Sequence, residues 1–118
     1  MITTTTTSID GATISRYLGI VTGEVILGTH LFSDMAADFR DRFGGRVGGY
    51  ERNLAQARSQ ALRKMQTQAM EQGGNAVVGV KLDYETVGPQ ASLLMVTACG
   101  TAVLAERVGP APSASGGA

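Results

Sequence analysis

Leu93-Leu94-Met95-Val96-Thr97-Ala98-Cys99-Gly100-Thr101-Ala102-Val103-Leu104-Ala105 is the stretch that decides the fold. It holds no charge and no Pro, and it is apolar or small on both sides of a strand. Leu94, Val96, Ala98, Ala102 and Leu104 share one face; Leu93, Met95, Cys99 and Val103 share the other. A strand reads this way when both of its faces are covered. Before it, Val87-Gly88-Pro89-Gln90 has the Gly-Pro content of a turn. Residues 76–85 form the other arm of the hairpin. There, Ala76, Val78, Val80, Leu82 and Tyr84 are expected to face one way and Gly79, Lys81, Asp83 and Glu85 the other, with Val77 the exception.

Two helices are predicted upstream. Residues 50–72 contain no Gly or Pro and are rich in Ala, Gln, Leu, Met, Arg and Lys, all good helix formers. Leu54, Ala57, Ala61, Met65 and Ala69 make a narrow stripe, mostly Ala, that invites close approach. Gly73-Gly74 stops the helix. Residues 31–43 read as an earlier helix, with Phe32, Met35, Ala36, Phe39 and Phe43 on one side. Residues 17–28 read as a strand interrupted by Gly19 and Gly23, each marking a bulge or a close backbone approach. Glu24 within it is read as an edge position with its carboxylate in water.

The order is strand, helix, helix, strand, strand: an α+β subunit in which helices pack on a small antiparallel sheet. Residues 1–8 are read as a flexible or edge-strand N-terminus, 9–108 as one domain and 109–118 as a disordered tail. That tail holds only Gly, Pro, Ala and Ser, too little apolar bulk to offset its ordering entropy. Helices can cover one face of such a sheet. Nothing else in the chain is expected to cover the second face of the last strand. A large exposed apolar face is avoided by soluble monomers, so a homo-oligomer is expected.

Composition removes several classes. Ten Lys and Arg balance ten Asp and Glu, and no basic tract occurs, which argues against nucleic acid as a partner. One Cys cannot make an intrachain disulfide. No apolar run reaches the ~18 residues of a membrane span. The N-terminus lacks the basic start and apolar core of a signal peptide. The cytoplasm is the expected compartment.

A family resemblance emerges from several motifs taken in order. Gly44-Gly45-Arg46, Tyr50-Glu51 and Ala57-Arg58 resemble the central signature of the bacterial YbjQ-like family. So do Gly74-Asn75-Ala76-Val77-Val78-Gly79, Asp83-Tyr84-Glu85-Thr86 and Gly100-Thr101-Ala102-Val103. The resemblance runs from about Thr5 to Val103. Ser33-Asp34 and the segment after Val108 depart from the family pattern. The resemblance implies a dodecin-like α+β subunit assembled as a ring, a homopentamer. It further implies a protein described only as a candidate for heavy-metal binding, with no catalytic residues to carry over.

The residues themselves offer few chemical groups. Gly45, Arg46 and Gly48 lie in a Gly-rich joint between two helices. It does not follow a strand, so it is read first as a turn and second as an anion site. His30 and Cys99 are the soft-metal ligands available, and one of each falls short of a four-ligand zinc site. Cys99 is expected to be buried and slow to react. Asp83 and Glu85 share a strand face, which suits either a solvated surface or a hard cation. No arrangement of nucleophile, base and orienting group is evident. The expectation is a binding or scaffolding protein, carrying a metal or small ligand or none and not an enzyme, with an enzyme of unknown class ranked last among the alternatives. No cofactor is indicated.

Overall fold

The computed structural model describes residues 1–28, 48–91 and 93–108. The helix expected over 31–43, together with His30, Gly45, Arg46 and the tail 109–118, lies outside the described residues. The elements are β1 (Ile2–Thr3), β2 (Ala12–Leu27), α1 (Gly48–Glu71), β3 (Ala76–Val87), a short 3-10 turn (Pro89–Ala91) and β4 (Leu93–Arg107). The strands form a four-stranded sheet in the order β1-β3-β4-β2. It is mixed, not purely antiparallel as expected, because β1 pairs parallel to β3 at Ala76 and Val77.

The helix α1 crosses one face of this sheet. Its stripe Ala57, Ala61, Met65 and Ala69 is buried against Val21, Val77, Val80, Val96, Ala98 and Ala102. Small side chains on α1 bring its backbone onto the sheet, and Gly23 of β2 receives it. A Cβ at Gly23 would overlap the Ala61 carbonyl oxygen and stand 2.7 Å from the Met65 nitrogen. The helix closes with paired hydrogen bonds that satisfy its last carbonyls: Gly73 N–H donates to Met70 O (2.9 Å) and Gly74 N–H to Ala69 O (2.9 Å).

Asn75 then stands immediately before β3. Its amide donates to Ala105 O (2.9 Å) and its carbonyl accepts from Ala105 N–H (2.8 Å), so the side chain extends the ladder to β4.

The expected alternation along β3 fails at Gly79. The register to β4 shifts between Val78 and Lys81, and Gly79 has φ +62, a conformation that L side chains rarely adopt. The bulge turns the strand over by one residue. Val77 and Val80 therefore both face α1, while Ala76 and Val78 face the opposite side. The N–H groups around the bulge are satisfied by the N-terminal segment: Gly79 N–H donates to Thr6 O (2.8 Å) and Val80 N–H to Thr4 O (3.0 Å).

The second face of the sheet is covered at one end. There Ala76, Val78 and Val103 are buried, with Ile9, Ile14 and Ala105 packed against them. The expectation that nothing in the chain covers this face is corrected here. Ile9 from the β1–β2 connection supplies the cover, because the parallel β1 returns the chain across that end.

Candidate functional site

Beyond Val78 the second face is open among the described residues. The ladder sets side chains there in three rows across β3, β4 and β2: Lys81–Cys99–Thr22, Asp83–Thr97–Glu24 and Glu85–Met95–Ile26. Ile20, paired with Thr101, borders them. Ile20 is 73% exposed and Ile26 56% exposed. The face thus combines apolar groups with three carboxylates, Glu24, Asp83 and Glu85, and one ammonium, Lys81.

Cys99 sits in the middle of this open end, half-buried and not enclosed as expected. Alternation along β4 puts Ala98 and Gly100 under α1 and Cys99 on the other side. Its cross-strand neighbours are Lys81 and Thr22, neither of which is a good metal ligand. Asp83 and Glu85 do share this face, as expected. They lie two residues apart along one strand, about 7 Å at the backbone. Lys81 Nζ stands 3.8 Å from Asp83 Oδ1, with both side chains mostly in solvent, a weak pairing. Among the described residues no three His, Cys, Asp or Glu side chains group as a metal site. The donor set that the described residues of one chain offer, a single thiol beside an ammonium and dispersed carboxylates, does not fit a resident soft metal. Gly48, the described member of the Gly-rich joint, is the first residue of α1.

A second feature had not been singled out from the sequence. An open groove of about 570 Å³ runs between α1 and the outer edge of β2. It is lined by Thr22, Gln60, Arg63, Lys64, Thr67, Gln68 and Glu71. Gln68 Oε1 accepts the outward N–H of Thr22 (2.7 Å), and Lys64 Nζ donates to the outward carbonyl of Glu24 (3.0 Å). These side chains close part of an edge that would otherwise accept another strand. The signal was present as polar residues at 60, 64 and 68, one flank of a helix at a spacing of four.

Among the described residues these features define a small α+β fold, one helix on a mixed four-stranded sheet, with no helix long and apolar enough to cross a membrane. The family comparison then fixes its kinship. Residues 1–106 match the YbjQ_1 family model, described as "Putative heavy-metal-binding", and the chain belongs to that family. A UPF0145 protein of Bifidobacterium longum subsp. infantis is 50% identical over 107 residues, covering 91% of this chain and 97% of the relative. A UPF0145 protein of another Bifidobacterium longum strain matches equally, at 50% over 107 residues. Among solved structures, a protein of unknown function from Pediococcus pentosaceus, assigned to the DUF74 family, shares the fold. Its TM-score is 0.59 at 23% identity, over 88% of this chain and 96% of that one.

Proposed function

We propose that this chain works as a homo-oligomeric, non-enzymatic binding subunit in the cytoplasm, assembled as a dodecin-like ring with five copies preferred. One observation carries the assembly: the open end of the second sheet face, where Ile20 and Ile26 stand largely in water among the described residues. Apolar side chains on a strand buried on its other face favour a cover, and a second copy is the simplest one. The preference for five and for a ring comes from the family resemblance.

The cargo is a metal ion or a small polar ligand. Because one chain lacks a complete donor set among its described residues, a metal site would have to be built between copies, where symmetry multiplies each ligand. Asp83 and Glu85, brought together across a symmetric ring, become the next candidates if binding survives the loss of Cys99 and of His30. The groove beside β2, with Arg63 and Lys64, suits a small anion. The competing reading is a scaffold with no ligand, favoured by the dispersed donors.

Native mass spectrometry of protein purified without chelator tests both. The expected result is a mass several times 12.2 kDa. Retained metal or ligand supports the carrier; its absence supports the scaffold. A monomer at micromolar concentration would remove the assembly. Cys99→Ser and His30→Ala are each expected to leave zinc or copper binding unchanged, as read by calorimetry. Tight, stoichiometric binding lost in either variant would move the site to that residue.

A further inference from the structure

The groove between α1 and β2 presents hydrogen-bond donors that the fold already holds in place. Gln68 Oε1 accepts the Thr22 N–H at 2.7 Å, which leaves Nε2 as the donor end of that amide. Lys64 Nζ spends one of its three N–H groups on the Glu24 carbonyl at 3.0 Å and keeps two. Arg63 adds a guanidinium to the same groove, and Thr67, one turn later, adds a hydroxyl. Glu71 lies at the far end, two turns and roughly 12 Å beyond Arg63 along the axis. The groove is therefore cationic and rich in donors at one end, with a carboxylate acceptor at the other. Its volume of about 570 Å³ suits a small organic ligand and far exceeds what a bare anion fills. Among the described residues that line it there is no aromatic ring on which a base could stack.

We infer that this groove binds a sugar phosphate, a phosphate monoester on a hydroxyl-rich body. Arg63 and the spare N–H groups of Lys64 take the phosphate through charge-assisted hydrogen bonds. Thr67 and the Gln68 amide meet hydroxyls of the sugar, and Glu71 accepts from the hydroxyl at its far end. A bare phosphate would leave Glu71 without a role, whereas a ligand with an anion at one end and a donor at the other uses both ends of the groove. Lys64 and Gln68 are pinned through the β2 backbone, so less side-chain freedom is lost when the ligand arrives. This rests on the small-anion reading of the groove and names what the anion is attached to.

Calorimetric titration of the full chain with glucose 6-phosphate, inorganic phosphate and adenosine monophosphate tests the assignment, with folding of each variant read by circular dichroism. Glucose 6-phosphate is expected to bind most tightly of the three. Arg63→Gln is expected to weaken both glucose 6-phosphate and inorganic phosphate about tenfold, because both use the guanidinium. Glu71→Gln is expected to weaken glucose 6-phosphate about fivefold and to leave inorganic phosphate unchanged, because only the sugar reaches that end. Equal affinity for glucose 6-phosphate and inorganic phosphate, or indifference of the sugar phosphate to Glu71→Gln, overturns the sugar part and leaves the small-anion reading standing. Tighter binding of adenosine monophosphate overturns the choice of a sugar over a nucleotide. Binding that survives Arg63→Gln unchanged places the ligand elsewhere. No binding of any of the three at millimolar concentration overturns this inference and the small-anion reading together.

Discussion

Val96 and Thr97 are neighbours on β4, yet Val96 is fully buried beneath α1 while Thr97 stands half-exposed on the opposite face. The first face is sealed by backbone proximity, with an alanine stripe seated on Gly23. The second face is sealed at one end by Ile9 and, among the described residues, left open at the other. The same strand thus shows an intramolecular finish and an unfinished surface a few residues apart. Local sequence does not separate them, since Val103 and Cys99 belong to the same apolar run. What separates them is the path of the first eleven residues, which β1 and the Thr4 and Thr6 hydrogen bonds tie to the edge of β3.

The comparison can be broken most forcibly at the sealed face. Gly23→Val puts branched carbon into the α1 backbone, and the helix has to lift. A loss of more than about 3 kcal/mol in urea unfolding is expected. A parent-like midpoint would show that the helix does not rest there. Next comes the covered end of the second face. Val103→Ala removes two buried methyl groups and leaves a cavity, for an expected loss of about 2 kcal/mol. Ile9→Ala acts on the same small core from a half-buried position, with about 1 kcal/mol expected.

The open end should respond differently. Ile20→Ser is expected to change the stability of the isolated chain by less than about 0.5 kcal/mol. On the proposed reading that this end lies in a contact between copies, its effect should instead depend on protein concentration. Thermal melts over a dilution series separate the cases. The Ile9→Ala deficit should hold constant, whereas the Ile20→Ser deficit should shrink with dilution. A constant Ile20→Ser deficit would mean that this end is covered within the chain. The smallest signal is the thiol: Cys99 should be modified slowly in the assembled protein and faster on dilution. Equal rates would place it away from any subunit contact.

Much of this was legible before folding was considered. The α1 stripe follows from helical period, its end from Gly73-Gly74, and the β3–β4 hairpin from its turn chemistry. The two readings of glycine in β2 both apply: Gly19 lies at a register shift and Gly23 at a close approach. The Asp83–Glu85 face was legible too, because period two survives after the bulge. The faces of Ala76, Val77 and Val78 were not. Period two assumes an unbroken ladder, and Gly79 inserts a residue whose effect shows only against the partner strand.

By itself, the sequence determined the α+β class, the helix on the sheet and the family. These follow from short-range patterns: period, propensity, turn residues and ordered motifs. Only the tertiary structure decided where the N-terminal segment runs, that the sheet is mixed, and which end of its second face that segment covers. Those depend on contacts between residues far apart in the chain, such as Ile9 with the cluster of Ala76, Val78 and Val103, and Thr6 with Gly79. No local pattern encodes such contacts, because their energy exists only once the distant surfaces have met.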